Sequence, residues 1–235
     1  MSEIDRKLMQ KRTLSYLGDR KQEGAFALSE EIDSCFEELE KEAHFLGCYE
    51  VYALDFDKEG FPEIPDAGVL LRSEDLKSLF APCERVCVLA TTLGVSYDRY
   101  IRRIMNGNMS HGVVLDAAAS AYLEGRTDAF EEELGLGKRT FRFAPGYGDL
   151  DLSLNIPLLK AIRADKKLGI THTSGGLFLP QKSMLGLIGL KGETAHADLG
   201  QKTPTCLTCA RREACRQKKS GSASCYFPDQ TPGRV

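Results

Sequence analysis

The stretch from His111 to Leu134 constrains the fold more than any other, because it reads as one long helix that a neighbour must approach closely. Ala117, Ala118, Ala119 and Ala121 keep that helix slim, so another backbone or a bound ligand can come near its axis. Asp116, Ser120, Glu124 and Asp128 recur at every fourth position and line up as one polar stripe. Such a stripe ordinarily faces solvent. Here it borders the alanines and Tyr122, which makes Asp116 and Glu124 candidates for holding a cationic ligand. Gly125 lies inside the helix, and Gly135-Leu-Gly137 ends it.

The remaining patterns fit around that helix. Residues 4–17 read as an amphipathic helix stopped by Gly18, and 19–28 as a polar connection. Ser29 is expected to cap the next helix, with Glu30 and Glu31 in its first turn. Ile32, Cys35, Phe36, Leu39, Ala43 and Leu46 follow at helical spacing, and Gly47 is expected to end it. A strand is expected over 48–56, a turn and loop over 58–65, and a helix capped by Ser73 through Phe80. The apolar run Val86–Thr91 predicts a buried strand. It leads through Gly94 into a helix with Tyr97, Tyr100, Ile101, Ile104 and Met105 on one face.

After Gly137, Phe141 and Phe143 suit a short strand broken by a Pro-Gly turn. Asn155 and Pro157 start a helix that ends near Leu168, with Gly169 as its breaker. Two strands are expected at 170–180 and 184–190, joined by the polar turn Gln181–Ser183. Gly186 and Gly189 in the second imply a bend or a close backbone neighbour. His172 reads as structural and Lys182 as a turn residue. No run of βαβ units appears, so the expected fold class is α+β, a mainly antiparallel mixed sheet with packed helices.

The chemistry concentrates in Arg142-Phe-Ala-Pro-Gly-Tyr-Gly-Asp149. Gly146 and Gly148 flank Tyr147, so the backbone there can take positive φ or let a ligand close. Arg142 offers a planar fork for a carboxylate or phosphate, and Tyr147 a flat face with a hydroxyl. The competing reading is a tight turn with Arg142 in a structural ion pair. Over 235 residues the formal net charge is −3, which gives no general drive toward nucleic acid. The charged N-terminus carries no secretory signal and no apolar run reaches membrane-spanning length, so the chain is read as cytoplasmic.

The 8 cysteines divide unevenly. Cys35, Cys48, Cys83 and Cys87 lie in apolar-patterned segments and are expected to be buried thiols. Cys206, Cys209, Cys215 and Cys225 crowd into a distinct tail, residues 200–235, with the spacing C-x2-C-x5-C-x9-C. Four such thiolates can hold zinc or an iron–sulfur cluster; free thiols are the alternative. The main domain is placed at 1–199.

Several segments, read together, resemble the stand-alone vitamin B12-dependent methionine synthase activation domain family. They are Leu14-Ser-Tyr-Leu-Gly18, Ala90-Thr-Thr-Leu-Gly94, Leu115-Asp-Ala-Ala-Ala-Ser120, Arg142–Asp149, Lys167-Leu-Gly-Ile170, Pro180–Met184 and Ile188-Gly-Leu190. The resemblance implies an S-adenosylmethionine site in which Arg142 takes the methionine carboxylate. It places Ala144, Pro145, Gly146 and Tyr147 along the ligand, and Glu124 toward its cationic groups. It also implies an activity, methyl transfer from S-adenosylmethionine to oxidised cobalamin carried by a partner methionine synthase lacking this domain. A flavodoxin or ferredoxin-type carrier would supply the electron. Two other roles stay open: a non-catalytic module docking on a corrinoid protein, or a redox activator using a tail cluster. The fused methionine synthases carry tyrosines in the strand matching residues 184–190, whereas this chain has Leu187 and Ile188 there. No tyrosine contact transfers from that strand.

Overall fold

The computed structural model describes residues 3–19 and 25–192. Its elements run α1 (Glu3–Tyr16), α2 (Ala25–Glu42), β1 (Leu46–Ala53), β2 (Asp55–Phe56), β3 (Pro62–Ile64), β4 (Val69–Leu70), α3 (Glu74–Phe80) and β5 (Cys83–Thr92). They continue as α4 (Gly94–Gly107), α5 (Met109–Glu133), α6 (Asn155–Ala161), α7 (Ala164–Leu168), β6 (Thr171–His172), β7 (Phe178–Leu179) and β8 (Ser183–Lys191). The α+β class with antiparallel pairing is what the structure has. β1, β5 and β8 form the main sheet with β5 in the centre, antiparallel to both neighbours.

Sequence chemistry explains why β5 takes the centre. Val86 through Leu93 are all buried, so the strand must be covered on both faces. Val86, Val88 and Ala90 point into one core, shared with α3, α6 and the small β2–β3–β4 sheet. Cys87 and Leu89 point the other way, onto Ile188, Leu190 and the Leu134–Leu136 segment that follows α5. A third cluster joins α1, α2, α4 and α5 through Met9, Phe36, Leu39, Tyr97 and Leu115. Helices thus stack on one face of the sheet and shorter elements on the other.

Several boundaries depart from expectation. α2 begins at Ala25, so Ser29 lies inside the helix and is not its N-cap. α2 also stops at Glu42, and Gly47 belongs to β1, where Phe130 leans on it: a Cβ there would stand 2.9 Å from the Phe130 ring. The loop at 58–65 contains β3. The helix expected from 155 to 168 is two, broken where Arg163 takes φ of 56°. The strand expected over 170–180 is a hairpin of two-residue strands, β6 and β7.

The Ser73 cap is as expected: its Oγ accepts the Leu76 N–H at 3.0 Å. Ser73 also donates to Asp149, which accepts the Glu74 N–H at 2.7 Å, so the Arg142–Asp149 segment is tied to the start of α3. Replacing Ser73 with alanine removes both roles and is expected to cost about 1–2 kcal/mol, read as a lower urea midpoint.

Cys35, Cys83 and Cys87 are buried and Cys48 is half-buried. Burial pushes the thiols of Cys35 and Cys87 up to about 12 and that of Cys83 up to about 11, so they stay protonated. No cluster of His, Cys, Asp or Glu suited to a metal exists among the described residues. The tail candidates Cys206, Cys209, Cys215 and Cys225 lie outside the described residues. No helix among the described residues is long and apolar enough to cross a membrane.

Candidate functional site

The polar stripe of α5 does not face solvent alone. A row of basic and hydroxyl side chains from three other segments lies along it. Lys182, in the turn before β8, reaches Asp116 at 3.0 Å and Ser120 at 2.8 Å. Tyr16, at the end of α1, donates its hydroxyl to Glu124. Arg12, one turn earlier on the same face of α1, meets Glu124 at 3.4 Å and Asp128 at 2.8 Å. Arg142 takes Asp128 on its other side at 3.0 Å and also pairs with Glu131. Each carboxylate of the stripe therefore meets a cation, with Asp128 shared between two guanidinium groups.

Arg142 is held in this position from below. Phe143 bridges to Leu187 of β8, with N–H donations of 2.8 and 2.7 Å in the two directions. That pairing lays the Arg142 stem across Gly186, where any Cβ would fall far inside contact distance of Arg142 Cγ and Cδ. The close neighbour expected at this glycine is thus a side chain and not a backbone. Beyond Phe143 the chain turns sharply: Tyr147 N–H donates to the Ala144 carbonyl at 3.0 Å and Gly146 N–H to the Leu150 carbonyl at 2.9 Å. Gly146 has φ of 90°, a conformation that disfavours any residue with a Cβ. Pro145 is buried at the turn and Tyr147 is left exposed, its ring edge-on to Phe143 with 6.4 Å between centroids.

Desolvation around its hydroxyl and the neighbouring Glu124 carboxylate hold the Tyr16 phenol well above its usual range, while the residue as a whole stays 53% exposed. Of the residues singled out from sequence, Arg142 and Glu124 are brought together through Arg12 and Asp128, and Ala144, Pro145 and Gly146 form the turn that leads from Arg142 to Tyr147. Arg142 is engaged by two carboxylates of its own chain, as the competing ion-pair reading anticipated. Lys182 is more than a turn residue, since its side chain is largely buried against α5.

Arg12 escaped the sequence reading, and Tyr16 entered it only within the segment Leu14–Gly18, with no role at the site. Their spacing of four on an amphipathic helix was visible, but which helix they would meet was not. Next to this cluster lies a cavity of about 730 Å³ between α1, α2 and α5, lined by Met9, Arg12, Tyr122, Gly125, Arg126 and Asp128 among others. Gly125 on its wall lets α1 pack closely on α5: a Cβ there would stand 2.7 Å from Met9 Sδ.

No family model matches the chain, and no curated protein matches it in sequence. Among solved structures, the fold is similar to that in a crystal structure of the MetH reactivation domain bound to AdoHcy. The TM-score is 0.54 at 13% identity, covering 73% of this chain and 67% of that one. At this identity the likeness is one of fold.

Proposed function

We propose that this chain binds S-adenosylmethionine along the α5 stripe and reactivates a cobalamin-dependent methionine synthase that it meets as a separate protein. The observation that carries the reading is the meeting of Arg142 and Glu124 through Arg12 and Asp128, with the Tyr147 turn following Arg142, on a fold similar to that of a reactivation domain solved with AdoHcy. In this reading the methionine carboxylate goes to Arg142. Asp128, with a side chain 42% exposed and already shared with Arg12, gives way to it, while Glu131, 12% exposed, stays and orients the guanidinium. The Ala144–Tyr147 turn borders the reactive end.

The reaction needs no protein base, because a sulfonium already carries its leaving group. One electron from a flavodoxin or ferredoxin-type carrier reduces Co(II) of the partner's cobalamin to Co(I). The Co(I) electron pair forms a bond to the S-methyl carbon, and the C–S bond breaks with its electrons left on sulfur as S-adenosylhomocysteine. The residues of this chain hold the methyl donor in line for that attack, and positioning is the main contribution they can make. Tail cysteines holding iron–sulfur or zinc belong to this proposal only as an addition.

Arg142 occupied by its own carboxylates favours a second reading, a non-catalytic module that docks on a corrinoid protein. Calorimetric titration of the full chain with S-adenosylmethionine and with S-adenosylhomocysteine separates the two. Saturable binding with one ligand per chain is expected. Absence of heat at every soluble concentration of both ligands leaves the docking module standing instead.

A further inference from the structure

β1 is an edge strand of the main sheet, and its outer side is open. Its backbone pairs with β5, and no other described residue hydrogen-bonds the main chain of Leu46–Ala53. Open edges pair readily, and folds ordinarily guard them with lysine, proline or a bulge. This strand, Leu46-Gly-Cys-Tyr-Glu-Val-Tyr-Ala53, has no lysine and no proline and keeps one register along β5. Its single charge, Glu50, is met by Lys167 at 2.6 Å.

The two faces of this edge differ in chemistry. Cys48, Glu50 and Tyr52 lie under the corner between α6 and α7, where the Tyr52 hydroxyl donates to the Ala161 carbonyl at 2.9 Å. That corner carries Lys160, Arg163, Lys166 and Lys167, all exposed. Lys160, Arg163 and Lys166 have no ion pair among the described residues. Glu50 and Asp165 are the carboxylates of β1, α6 and α7, so cations prevail on this side. On the other face Tyr49 and Val51 are 42% and 38% exposed, with the Phe130 ring 6.3 Å from that of Tyr49 between centroids.

An extended peptide laid along a sheet edge points alternate side chains to the two faces. We propose that β1 is a docking strand for an extended acidic segment of a partner protein. Asp or Glu at every second position of that segment meets the α6–α7 cations, and the apolar residues between them cover Tyr49 and Val51. Charge complementarity decides the occupant. A second copy pairing β1 with β1 about a two-fold would bring the cations of both α6–α7 corners onto one side of the joined sheet, where they repel. The proposal stands apart from the S-adenosylmethionine reading and does not depend on it.

The probe is the capped peptide Glu-Val-Glu-Tyr-Glu-Val-Glu, titrated into the full chain, with hydrogen exchange read residue by residue. In the free chain the β1 amides that point away from β5 are expected to exchange fast, and the bound peptide slows them. Binding is saturable and weakens roughly three- to tenfold between about 0.05 and about 0.5 M salt. The same peptide with lysine in place of glutamate does not bind. Lys160→Glu combined with Lys166→Glu weakens the acidic peptide by roughly five- to fiftyfold and leaves the urea midpoint in place, since neither lysine has an ion pair to lose. Equal binding of the two peptides overturns the proposal, and so does an unchanged affinity in the double variant or an acidic peptide that slows no β1 amide. Outward amides already slow in the free chain overturn it as well. Protection that disappears on dilution then assigns the edge to a second copy, and protection that persists assigns it to residues of this chain outside the described ones.

Discussion

Arg142→Ala is expected to weaken S-adenosylmethionine binding by on the order of ten- to a hundredfold, the worth of hydrogen bonds between charged partners at a largely desolvated site. Calorimetric titration of the variant against the wild type measures it. The reason lies in the seating of the side chain: Phe143 is pinned to Leu187, and Gly186 opens the path along which the Arg142 stem runs. The same substitution leaves the Glu131 carboxylate, 12% exposed, without its cation, so stability falls as well. Asp128→Asn runs the opposite way. It removes the carboxylate that occupies Arg142 at 3.0 Å and is expected to tighten binding of the same ligand. If Arg142→Ala and Asp128→Asn both bind as the wild type does, Arg142 belongs to a structural ion pair alone.

Gly186→Ala is the second large effect. The added methyl would occupy the space of Arg142 Cγ and Cδ, in the middle of a strand whose Cα partner at this point is Leu89 of β5. Overpacking of this kind costs about 1–3 kcal/mol. Because the displaced group is the proposed carboxylate anchor, ligand affinity falls with stability. Gly189→Ala separates these two consequences. Its Cβ would meet Cys83 Sγ at 2.6 Å and Phe80 at 2.9 Å, on the opposite face of β8. It is expected to lower the urea midpoint by a similar amount and leave binding intact. Equal loss of affinity in both variants would mean that strand damage, and not Arg142, controls the site.

How much of this was legible in the sequence depends on the range of the interaction that decides each feature. α5 and β5 were legible because an alanine-rich polar stripe and an unbroken apolar run state their periods locally. Ser73 was legible for the same reason, since a cap is decided within four residues. Ser29 misled because a good capping residue stands there while α2 starts a turn earlier. Within the site, Arg142, Tyr147 and Glu124 were named from the turn, the stripe and a family resemblance. Arg12, Tyr16 and Lys182 were not, because their partners lie on α5, more than sixty residues away in each case. Arg163 illustrates another limit: a left-handed arginine splitting α6 from α7 carries no compositional sign.

β8 has a consequence for the order in which this protein is made. It supplies one whole flank of β5, the Phe143–Leu187 bridge and the opening at Gly186, yet it is the last strand among the described residues. While the chain is being synthesised, α5 emerges with its acidic stripe already complete, Arg12 and Tyr16 available to meet it, and Arg142 without a floor. The seat of Arg142 is therefore complete only when residues 183–191 dock. Until that moment the growing chain holds a buried-strand sequence, Val86–Leu93, open along one edge, a segment that a chaperone or a neighbouring nascent chain can pair with before β8 does.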